Sequence, residues 1–570
     1  MQLKNLKYIP LAGILVALTG CDDFLDHTPD NRVTISTPTQ VTQLLVNAYS
    51  DGNHATICEL SSDNIVDNTS PDENGVRYNL SGNSNYAPAD DEAFAWEEIK
   101  SGIQQDTPSH IWAGAYHAIA VCNYALQAIE QLEAQGRGSE VTAQKGEALV
   151  SRAYHHFILA NLFCLPYAGA EASKSIPGIP YMIDVEKELK PQYDRGNLAD
   201  VYDRIEQDLV EGLPLVNDNL HPLAPKYHFT IASAHAFAAR FYLFARKYDL
   251  AEKHATIALG DAGAPSSMRN FWTKTFTTSD ALTQAYIDPS DPGNLMLVAT
   301  SSIYYRVVGL KYAHNREAKN ATTHSVGPTW TKYNFHPCMS GKLYYRGQSE
   351  YGSLYAPMFE FFEYTDKIAG IGYVHHIRPE FTKEEVLLTR AEARIYMRKI
   401  TEAVADLSAW DANRWNNLPV SDKPDCKLTL EVINKFYADE GDSNELRKNG
   451  IVSPVNIDQV CTPANASWNY GADIQHLVEC VLHFRRLERL DMGDRWFDIR
   501  RNGIEITHKI GRSRVEHLTL GDPRRAFQIP ADVLSAGFPE NNRLPISSGG
   551  SDSDATLSTE SYKKPISARP

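Results

Sequence analysis

The spacing of apolar positions predicts a mostly α-helical protein. Between Ile111 and Leu132, apolar side chains recur at intervals of three and four residues, which is the spacing of one buried helix face. The same period runs through residues 145–165, where Pro166 ends it, and through residues 198–216. No alternating strand pattern of comparable length competes with these segments. Long amphipathic helices therefore form the predicted scaffold.

Two further segments each predict a pair of helices. Residues 231–259 have a turn signal near Arg246, and residues 384–410 have one near Arg398. Each pair places two alanines twelve residues apart: Ala239 and Ala251 in the first, Ala391 and Ala403 in the second. Small residues at this interval let antiparallel helices approach closely, and the pattern resembles the tetratricopeptide repeat. Ala239 and Ala391 lie 152 residues apart, so the copies are not a simple tandem array.

The residues between the two helix pairs have a different character. Residues 261–376 are rich in Gly, Pro, Thr and Tyr and show little periodicity, as do residues 53–105 before the first helix. Long irregular segments in a compact protein usually carry function. We expect a single compact body with this organisation: residues 1–20 a signal peptide, 21–260 an N-terminal helical region, 261–376 an irregular loop-rich insertion, 377–543 a C-terminal region, and 544–570 a Ser-rich, disordered tail.

The N-terminus predicts export and lipid attachment. A basic start containing Lys4 and Lys7 precedes a ten-residue apolar run from Ile9 to Leu18, which is too short to span a bilayer as a helix. The run ends in a Leu-Thr-Gly-Cys step that resembles the bacterial lipoprotein cleavage box, with Cys21 as the acylated residue. Several acyl chains on one residue give stable anchoring. The acidic residues that follow resemble a surface-export signal of Bacteroidetes lipoproteins, so we expect a surface-exposed protein of the outer membrane.

Composition narrows the class of protein further. Hydrophobic residues make up 43% of the chain and charged residues 22%, which excludes wholesale disorder and a multi-span membrane protein. The formal net charge of −16 argues against a nucleic-acid partner. Besides Cys21 there are seven cysteines, so at least one is unpaired, and the count is compatible with one or two disulfides. They form no CxxC pair, so a zinc ribbon is not indicated. The 29 Tyr and 8 Trp residues have rings with a polar group, which favours contact surfaces that are partly exposed to water over a dry core.

Four stretches in order resemble the SusD/RagB family of outer-membrane glycan-binding lipoproteins. They are Cys21–Asp26, the helix from Ala153 to Pro166, the helix pair containing Val386–Ala393 and Glu402–Leu407, and Phe484–Glu488 with Gly493–Arg501. The resemblance extends from Cys21 to about Asn542, although Cys164 replaces the family's usual glycine and the closing motif is only a partial match. It implies tetratricopeptide-like helix pairs, non-catalytic glycan capture, and delivery to a SusC-like TonB-dependent outer-membrane barrel.

No enzyme motif is present in the sequence. There is no GxSxG elbow, no GxxxxGK[ST] loop and no HExxH helix. A catalytic role for Glu488 or Asp498 is disfavoured, because neighbouring arginines lower a carboxyl pKa whereas a general acid needs a raised one. The histidine pairs 155–156 and 375–376 fit packing better than metal binding, and the Asp-rich turns 63–72 and 288–291 fit turn chemistry better than calcium. We expect no catalytic residue, no metal and no cofactor.

The candidate ligand residues are chosen by position and chemistry alone. Flat indole and phenol rings stack on the apolar faces of pyranose rings, while Asp, Asn and Arg bond the hydroxyl rims. The family's shared motifs contain no ligand residues, so none can be transferred by motif. The candidates are Asp67, Asn74, Arg77, Tyr78 and Trp96 from the first irregular stretch, and Trp272, Trp330 and Tyr333 from the second. For each ring the alternative is a core residue that anchors a loop.

Three other functions stay open on the sequence. A RagB-like carrier of peptides is the nearest, since it shares the family. A helical glycoside hydrolase would need two carboxylates about 5–10 Å apart in a cleft. A repeat scaffold with no small ligand is the third. The identity of the glycan is not encoded in the motifs, because binding loops diverge freely on a shared fold.

Overall fold

The computed structural model describes residues 35–72, 74–78, 87–102, 105–187, 193–260, 267–269, 276–309, 311–330, 344–345, 352–355, 360–414, 427–438, 474–519 and 521–543. In this part of the chain, no helix combines the length and the apolar character needed to cross a bilayer. One continuous apolar core runs through it, from Ile57 to Ile529. A smaller cluster lies between the first helices.

Helices dominate the described residues. In chain order they are α1 (Pro38–Leu45), α2 (Ala55–Leu60), α3 (Pro88–Phe94), α4 (Pro108–Ala134), α5 (Thr142–Phe163), α6 (Ala170–Ser173), α7 (Leu198–Gly212), α8 (Ile231–Phe244), α9 (Tyr248–Leu259), α10 (Ser279–Tyr286), α11 (Tyr304–Val307), α12 (Arg316–Asn320), α13 (Lys383–Tyr396), α14 (Ile400–Asp411), α15 (Leu430–Tyr437), α16 (Gln475–Glu488), α17 (Asp494–Arg501) and α18 (Ala531–Ser535). Short 3₁₀ turns occupy Gly138–Glu140, Leu213–Leu215, Pro225–Tyr227 and Pro523–Arg525.

Threonine and asparagine caps explain where many of these helices begin. A capping side chain accepts a hydrogen bond from a backbone N–H of the first turn, which otherwise has no partner. Eight of the described helices start in this way, at Thr37, Thr107, Asn197, Thr230, Thr278, Asn315, Thr382 and Thr429. The periodic stretches predicted from sequence coincide with α4, α5 and α7, and α5 ends three residues before Pro166.

Two helix pairs confirm the repeat predicted from sequence. α8 pairs with α9 and α13 pairs with α14, and α9 packs along α13, so pairs distant in sequence are neighbours in space. The four alanines that defined the pattern are fully buried, at Ala239, Ala251, Ala391 and Ala403. Arg246 and Arg398 take equivalent left-handed backbone conformations in the two turns, with φ of 60° and 63°. The mostly α, tetratricopeptide-like prediction is therefore confirmed.

The described residues contain nine strands, several of them in the segment 261–376 that was predicted to be irregular. They are β1 (Val66–Asp67), β2 (Asn294–Ser301), β3 (Tyr312–Ala313), β4 (Tyr344–Tyr345), β5 (Ser353–Leu354), β6 (Phe361–Asp366), β7 (Ile371–Thr382), β8 (Ile506–Ile510) and β9 (Arg514–Leu518). β7 lies between β2 and β6 in an antiparallel three-stranded sheet. It runs directly into α13, with Thr382 as both last strand residue and helix cap. The sheet was not anticipated by the expectation of an irregular insertion.

The charged motif near the C-terminus is buried and ion-paired. Phe484 and Leu487 have no exposed surface, and Arg485 contacts Asp498 at 3.2 Å. Burial opposes ionisation of Asp498, but the charges of Arg485 and Arg501 outweigh it and lower the pKa of that carboxyl. The structure thus supports the structural interpretation of this motif. The described cysteines are Cys58, Cys122, Cys164 and Cys480, and all four are buried free thiols.

Candidate functional site

Two of the predicted ligand tryptophans lie in the interior. Trp96 is 2% exposed, its indole N–H donates to the Ser61 carbonyl at 2.9 Å, and its ring stacks on His508 with centroids 4.2 Å apart. Trp330 is 1% exposed, and its N–H donates to the Ser325 carbonyl at 3.2 Å. A sugar ring cannot reach either indole face in this arrangement. Both residues have the loop-anchoring role that was the alternative for each of them.

Asp67 also has a structural role. It is 3% exposed, its Oδ1 accepts from the backbone N–H of Thr69 at 2.8 Å, and its Oδ2 accepts from that of Gly511 at 2.8 Å. The carboxylate therefore ties β1 to the turn between β8 and β9.

Asn74, Arg77 and Tyr78 come together at one surface turn. Oδ1 of Asp72 accepts from the N–H groups of Asn74 and Val76, at 2.9 and 2.8 Å, and the Tyr78 hydroxyl donates to Oδ2 at 3.2 Å. Asn74 is exposed, while Arg77 and Tyr78 are half-buried. Asp72 thus shows the turn chemistry expected for this Asp-rich stretch. Trp272, Tyr333 and the predicted lipidation site Cys21 lie outside the described residues.

The histidine pair on α5 serves packing, as expected. His155 and His156 are buried, and their Nε2 atoms accept hydrogen bonds from the backbone N–H groups of Ser50 and Met182, both at 3.0 Å. Burial lowers the pKa of His155 to about 4, so it is neutral at pH 7. Neither ring is available to a ligand.

A protruding hairpin carries the largest set of exposed rings in the described chain. We call residues 361–374 the aromatic hairpin; it comprises β6, the turn after it and the outer part of β7. Its exposed large apolar residues are Phe362 at 48%, Tyr364 at 52%, Ile368 at 101%, Ile371 at 61% and Tyr373 at 43%. Contiguous exposed apolar surface on a soluble protein commonly marks a binding site.

The strand register separates the rings onto two faces. Phe362 and Tyr364 lie two residues apart and so share one face of the hairpin, where Phe362 is paired with Val374 and Tyr364 with Gly372. The rings of Phe362 and Tyr364 meet edge to face, with centroids 4.8 Å apart. A Cβ atom on Gly372 would lie 2.8 Å from the Phe362 ring, so glycine leaves room for that ring to lie across the neighbouring strand. We call these two rings the aromatic plate.

The opposite face combines a phenol with a carboxylate. Tyr373 lies across from Glu363, and its hydroxyl donates to Oε2 of Glu363 at 3.0 Å. The hydrogen bond to Glu363 raises the pKa of Tyr373, so the phenol stays protonated. Nδ1 of His375 lies 3.9 Å from the same carboxylate oxygen. Polar groups suited to hydroxyl recognition therefore lie on the face of the hairpin opposite the plate.

The turn and the inner strand hold the hairpin in place. Oδ1 of Asp366 accepts from the N–H groups of Ile368 and Ala369, at 2.8 and 3.0 Å, and Gly370 supplies the positive φ of 68° that the reversal requires. The inner part of β7 is buried in the sheet with β2. The amide of Gln105 also donates to the Val374 carbonyl at 3.2 Å. Phe362 and Tyr364 thus lie on an exposed edge strand, β6, that pairs with β7, and the inner part of β7 is anchored in the core.

Two concave surfaces are less suited to stacking a sugar. A groove of about 400 Å³ between α4, α5 and α7 contains Tyr181, but His156 covers one face of that ring with centroids 3.8 Å apart. A basin of about 430 Å³ is lined by carboxylates, amides and guanidinium groups from Glu92 to Lys100 and from Arg524 to Arg543. Trp96 lies beneath this basin, with Arg524 over its ring at 5.7 Å. Arg204 lies 6.0 Å from the centroid of the Tyr181 ring, and the described lining of the basin contains no aromatic residue.

Sequence reasoning missed the aromatic hairpin, although a local signal was present. The run from Phe361 to Tyr364 and the run from Ile371 to Val374 are rich in aromatic and β-branched residues. The intervening stretch begins with Asp366 and ends with Gly370, which is the chemistry of a short hairpin turn. The aromatic residues chosen from sequence were three tryptophans and two tyrosines, and two of those tryptophans, Trp96 and Trp330, belong to the core.

The chain resembles one family in sequence and in fold. Residues 23–243 match the family model SusD-like_3, described as starch-binding associating with outer membrane. A SusD superfamily protein from Bacteroides vulgatus ATCC 8482 has a TM-score of 0.54 at 16% identity, covering 90% of this chain and 100% of its own. One from Bacteroides thetaiotaomicron VPI-5482 has a TM-score of 0.53 at 15% identity, with coverage of 90% and 100%.

A third solved structure is a SusD-like carbohydrate binding protein from Bacteroides vulgatus ATCC 8482. Its TM-score is 0.50 at 13% identity, and the match covers 88% of this chain and 96% of that one. No curated protein matches the sequence. At these identities the structural likeness establishes the fold, and the family model adds the sequence likeness of residues 23–243.

Proposed function

We propose that this SusD-like protein is a non-catalytic glycan-binding protein of the cell surface, and that the aromatic hairpin is a site at which it holds an oligosaccharide. The aromatic plate formed by Phe362 and Tyr364 carries the proposal. About half of the surface of each residue is open to solvent, and β6, which carries both, pairs with β7, whose inner part is fixed in the core. A ring that is already held still loses little conformational entropy when a ligand binds.

The chemistry of the hairpin favours carbohydrate over a purely apolar partner. A pyranose presents an apolar C–H face and a polar rim, so its site needs open ring faces beside hydrogen-bonding groups. The aromatic plate supplies ring surface on one face of the hairpin, and the Tyr373–Glu363 pair with its 3.0 Å hydrogen bond supplies polar groups on the opposite face, so an oligosaccharide that passes over the exposed edge of the hairpin would meet both. The starch-binding description of the matching family model and the carbohydrate-binding neighbour support the same ligand class.

The same proposal includes an anchor and a transport partner. Cys21 would carry the lipid that holds the protein at the outer membrane, in keeping with the outer-membrane association in the family description. The bound glycan would pass to a SusC-like TonB-dependent barrel. A lipid tether confines both proteins to one membrane, which raises the effective concentration of the ligand-loaded protein at the barrel.

A binding role accounts for the carboxylates of the hairpin without a reaction. Glycoside hydrolysis needs two carboxyl groups that flank the scissile bond. On the hairpin, Glu363 bonds the Tyr373 hydroxyl and Asp366 caps the turn. Each carboxylate therefore has a recognition or structural partner, and capture without cleavage is the simpler assignment.

A glycan panel tests this function directly. Native affinity electrophoresis of the purified protein in gels containing starch, β-glucans, mannans, xylans or pectins should show retardation by at least one polysaccharide class. Incubation of that polysaccharide with the protein should release no reducing sugar. Binding of peptides alone would replace the proposal with a RagB-like one, and sugar release would replace it with a hydrolase.

A further inference from the structure

A carboxylate and two imidazoles converge where α5 meets the connection between α7 and α8. Nε2 of His221 lies 2.8 Å from Oε2 of Glu147, and Nδ1 of His228 lies 2.9 Å from Oε1. The three donor atoms lie within 4.8 Å of one another. The side chain of Glu147 is 2% exposed, and those of His221 and His228 are 11% and 10% exposed. We call these three residues the Glu-His-His cluster.

The two imidazoles have an unusual mutual arrangement. Their ring centroids are 3.4 Å apart and their planes differ by 7°, which is a face-to-face sandwich. Aromatic rings prefer offset or edge-to-face contacts, so a sandwich forms only where something else fixes both rings. Here both rings direct a nitrogen at the same carboxylate, which fixes them. Each nitrogen faces its own oxygen of Glu147, so the two rings must tilt apart for both lone pairs to meet at one metal ion.

A second layer of contacts orients the carboxylate. The Tyr49 hydroxyl donates to Oε1 of Glu147 at 2.7 Å and accepts from the backbone N–H of Phe229 at 2.9 Å. Burial and the adjacent Glu147 charge raise the pKa of Tyr49 well above its ordinary value, so the phenol remains a donor. Burial opposes ionisation of Glu147, but the hydrogen bonds from the two histidines outweigh it and lower the pKa. Outer-shell donors of this kind are typical of protein metal sites.

We propose that the Glu-His-His cluster binds one divalent transition metal ion, with Zn²⁺ as the best match to its donor set. Two imidazole nitrogens and one carboxylate oxygen are common zinc ligands, and water completes a four-coordinate site. With bonds of about 2.0–2.1 Å, tetrahedral ligands lie about 3.3 Å apart. The observed N–O separations would therefore need to open by only about 0.5 Å.

The metal acts as a structural crosslink. It joins α5 to the connection between α7 and α8 and, through Tyr49, to the segment that follows α1. The described cysteines form no disulfide. No metal was expected from the sequence, and these residues form no recognisable motif: the two histidines lie seven residues apart in a loop, and their carboxylate partner comes from a distant helix. This inference is independent of the proposed glycan function.

Titration of the chelator-treated full chain with Co²⁺ and Zn²⁺ tests the site. We expect one equivalent of Co²⁺ to bind with the visible absorption of a four- or five-coordinate nitrogen–oxygen site, and Zn²⁺ to displace it and raise Tm. His228→Gln should weaken binding by at least about tenfold, as loss of a ligand does. His254→Gln is the matched control: His254 pairs with His235, Nδ1 to Nδ1 at 2.7 Å, away from the Glu-His-His cluster.

Two results would overturn the proposal. One is the absence of saturable Co²⁺ binding to the wild-type chain. The other is binding that survives unchanged in both His228→Gln and His221→Gln. The His221→Gln result is decisive if His228→Gln does not give the wild-type circular dichroism spectrum. Weaker binding at lower pH should accompany a real site, because protons compete for the imidazoles.

Discussion

Arg240 and Glu380 form a buried ion pair that fastens the central strand of the sheet to the first helix pair. Nη1 of Arg240, on α8, lies 2.6 Å from Oε1 of Glu380, on β7. Oε2 of the same carboxylate accepts from Arg378 at 2.7 Å. Burial opposes ionisation of Glu380, but the charges of Arg378 and Arg240 hold its pKa well below the ordinary value. The anchor of the aromatic hairpin is therefore electrostatic as well as apolar.

Replacement of Glu380 by Gln should destabilise the protein strongly. The change removes the carboxylate that faces Arg378 and one of the two that face Arg240, the other being Glu385, and breaking a buried pair in this way costs about 3–5 kcal/mol. Urea denaturation should show a lower midpoint for Glu380→Gln. Glu140→Gln, which removes an exposed pair with Arg137, is the control and should leave the midpoint nearly unchanged. Equal midpoints for the two variants would contradict the assignment.

The pH dependence of stability should contain a contribution from Glu59. Burial, reinforced by the nearby Asp491 charge, raises the pKa of Glu59 to about 8 in the folded protein. The unfolded chain releases this proton at about pH 4–5, so between there and about pH 8 the folded state binds more protons. Stability is therefore full at the acid end of this window and falls as pH rises, by up to about 1.4 kcal/mol per pH unit from this group.

Glu59→Gln isolates that contribution because glutamine has no proton to release. Urea unfolding at about pH 5, 6.5 and 8 should give a shallower decline for Glu59→Gln than for the wild type. The difference between the two proteins should therefore change steadily across the window. Parallel stability curves would show that Glu59 is ionised in the folded protein.

Gly372→Ala should disturb the outer hairpin while sparing the core. A Cβ atom at this position would lie 2.0 Å from the Glu363 carbonyl oxygen and 2.8 Å from the Phe362 ring, so β6 must move. We expect faster amide hydrogen exchange in β6 and at least about tenfold weaker glycan binding, with Tm nearly unchanged because the inner sheet is intact. Lys367→Ala, which trims an exposed side chain in the turn, is the control. Unchanged exchange in β6 would refute the steric argument.

The helical scaffold was predictable because its signals are local. Small residues at the same interval identified both helix pairs, and all four alanines are buried. Arg246 and Arg398 have equivalent conformations because each turn must reverse the chain at the same point of the repeat. Such patterns depend on residues within about thirty positions of each other, which is the range that periodicity detects.

The central sheet was not predictable from the same signals. The inner part of β7 contains Arg378 and Glu380, which are buried as ion pairs, so its sequence does not alternate between apolar and polar residues. Its partner β2 lies more than seventy residues earlier in the chain. Buried charges hide a core strand from pattern analysis, because the pattern equates burial with apolar side chains.

Ring exposure was the other property that sequence did not reveal. Trp96 and Trp330 lie in loop-rich segments, as expected of ligand residues, yet each indole donates to a backbone carbonyl in the interior. Tryptophan suits this role because its polar N–H can satisfy a loop carbonyl while the ring fills the core. Phe362 and Tyr364 are exposed because a protruding hairpin offers their rings nothing further to pack against.

The most direct test of the proposed function measures glycan affinity after removal of the aromatic plate. Calorimetric titration of Phe362→Ala/Tyr364→Ala with the polysaccharide that retards the wild type should show binding weaker by at least about tenfold, since each ring contributes about 1 kcal/mol or more. The double variant should keep the wild-type Tm. Tyr124→Ala, which removes an exposed ring on α4, should bind like the wild type. Wild-type affinity in the folded double variant would contradict the account. The aromatic plate would then be a contact surface for another protein and not a glycan site.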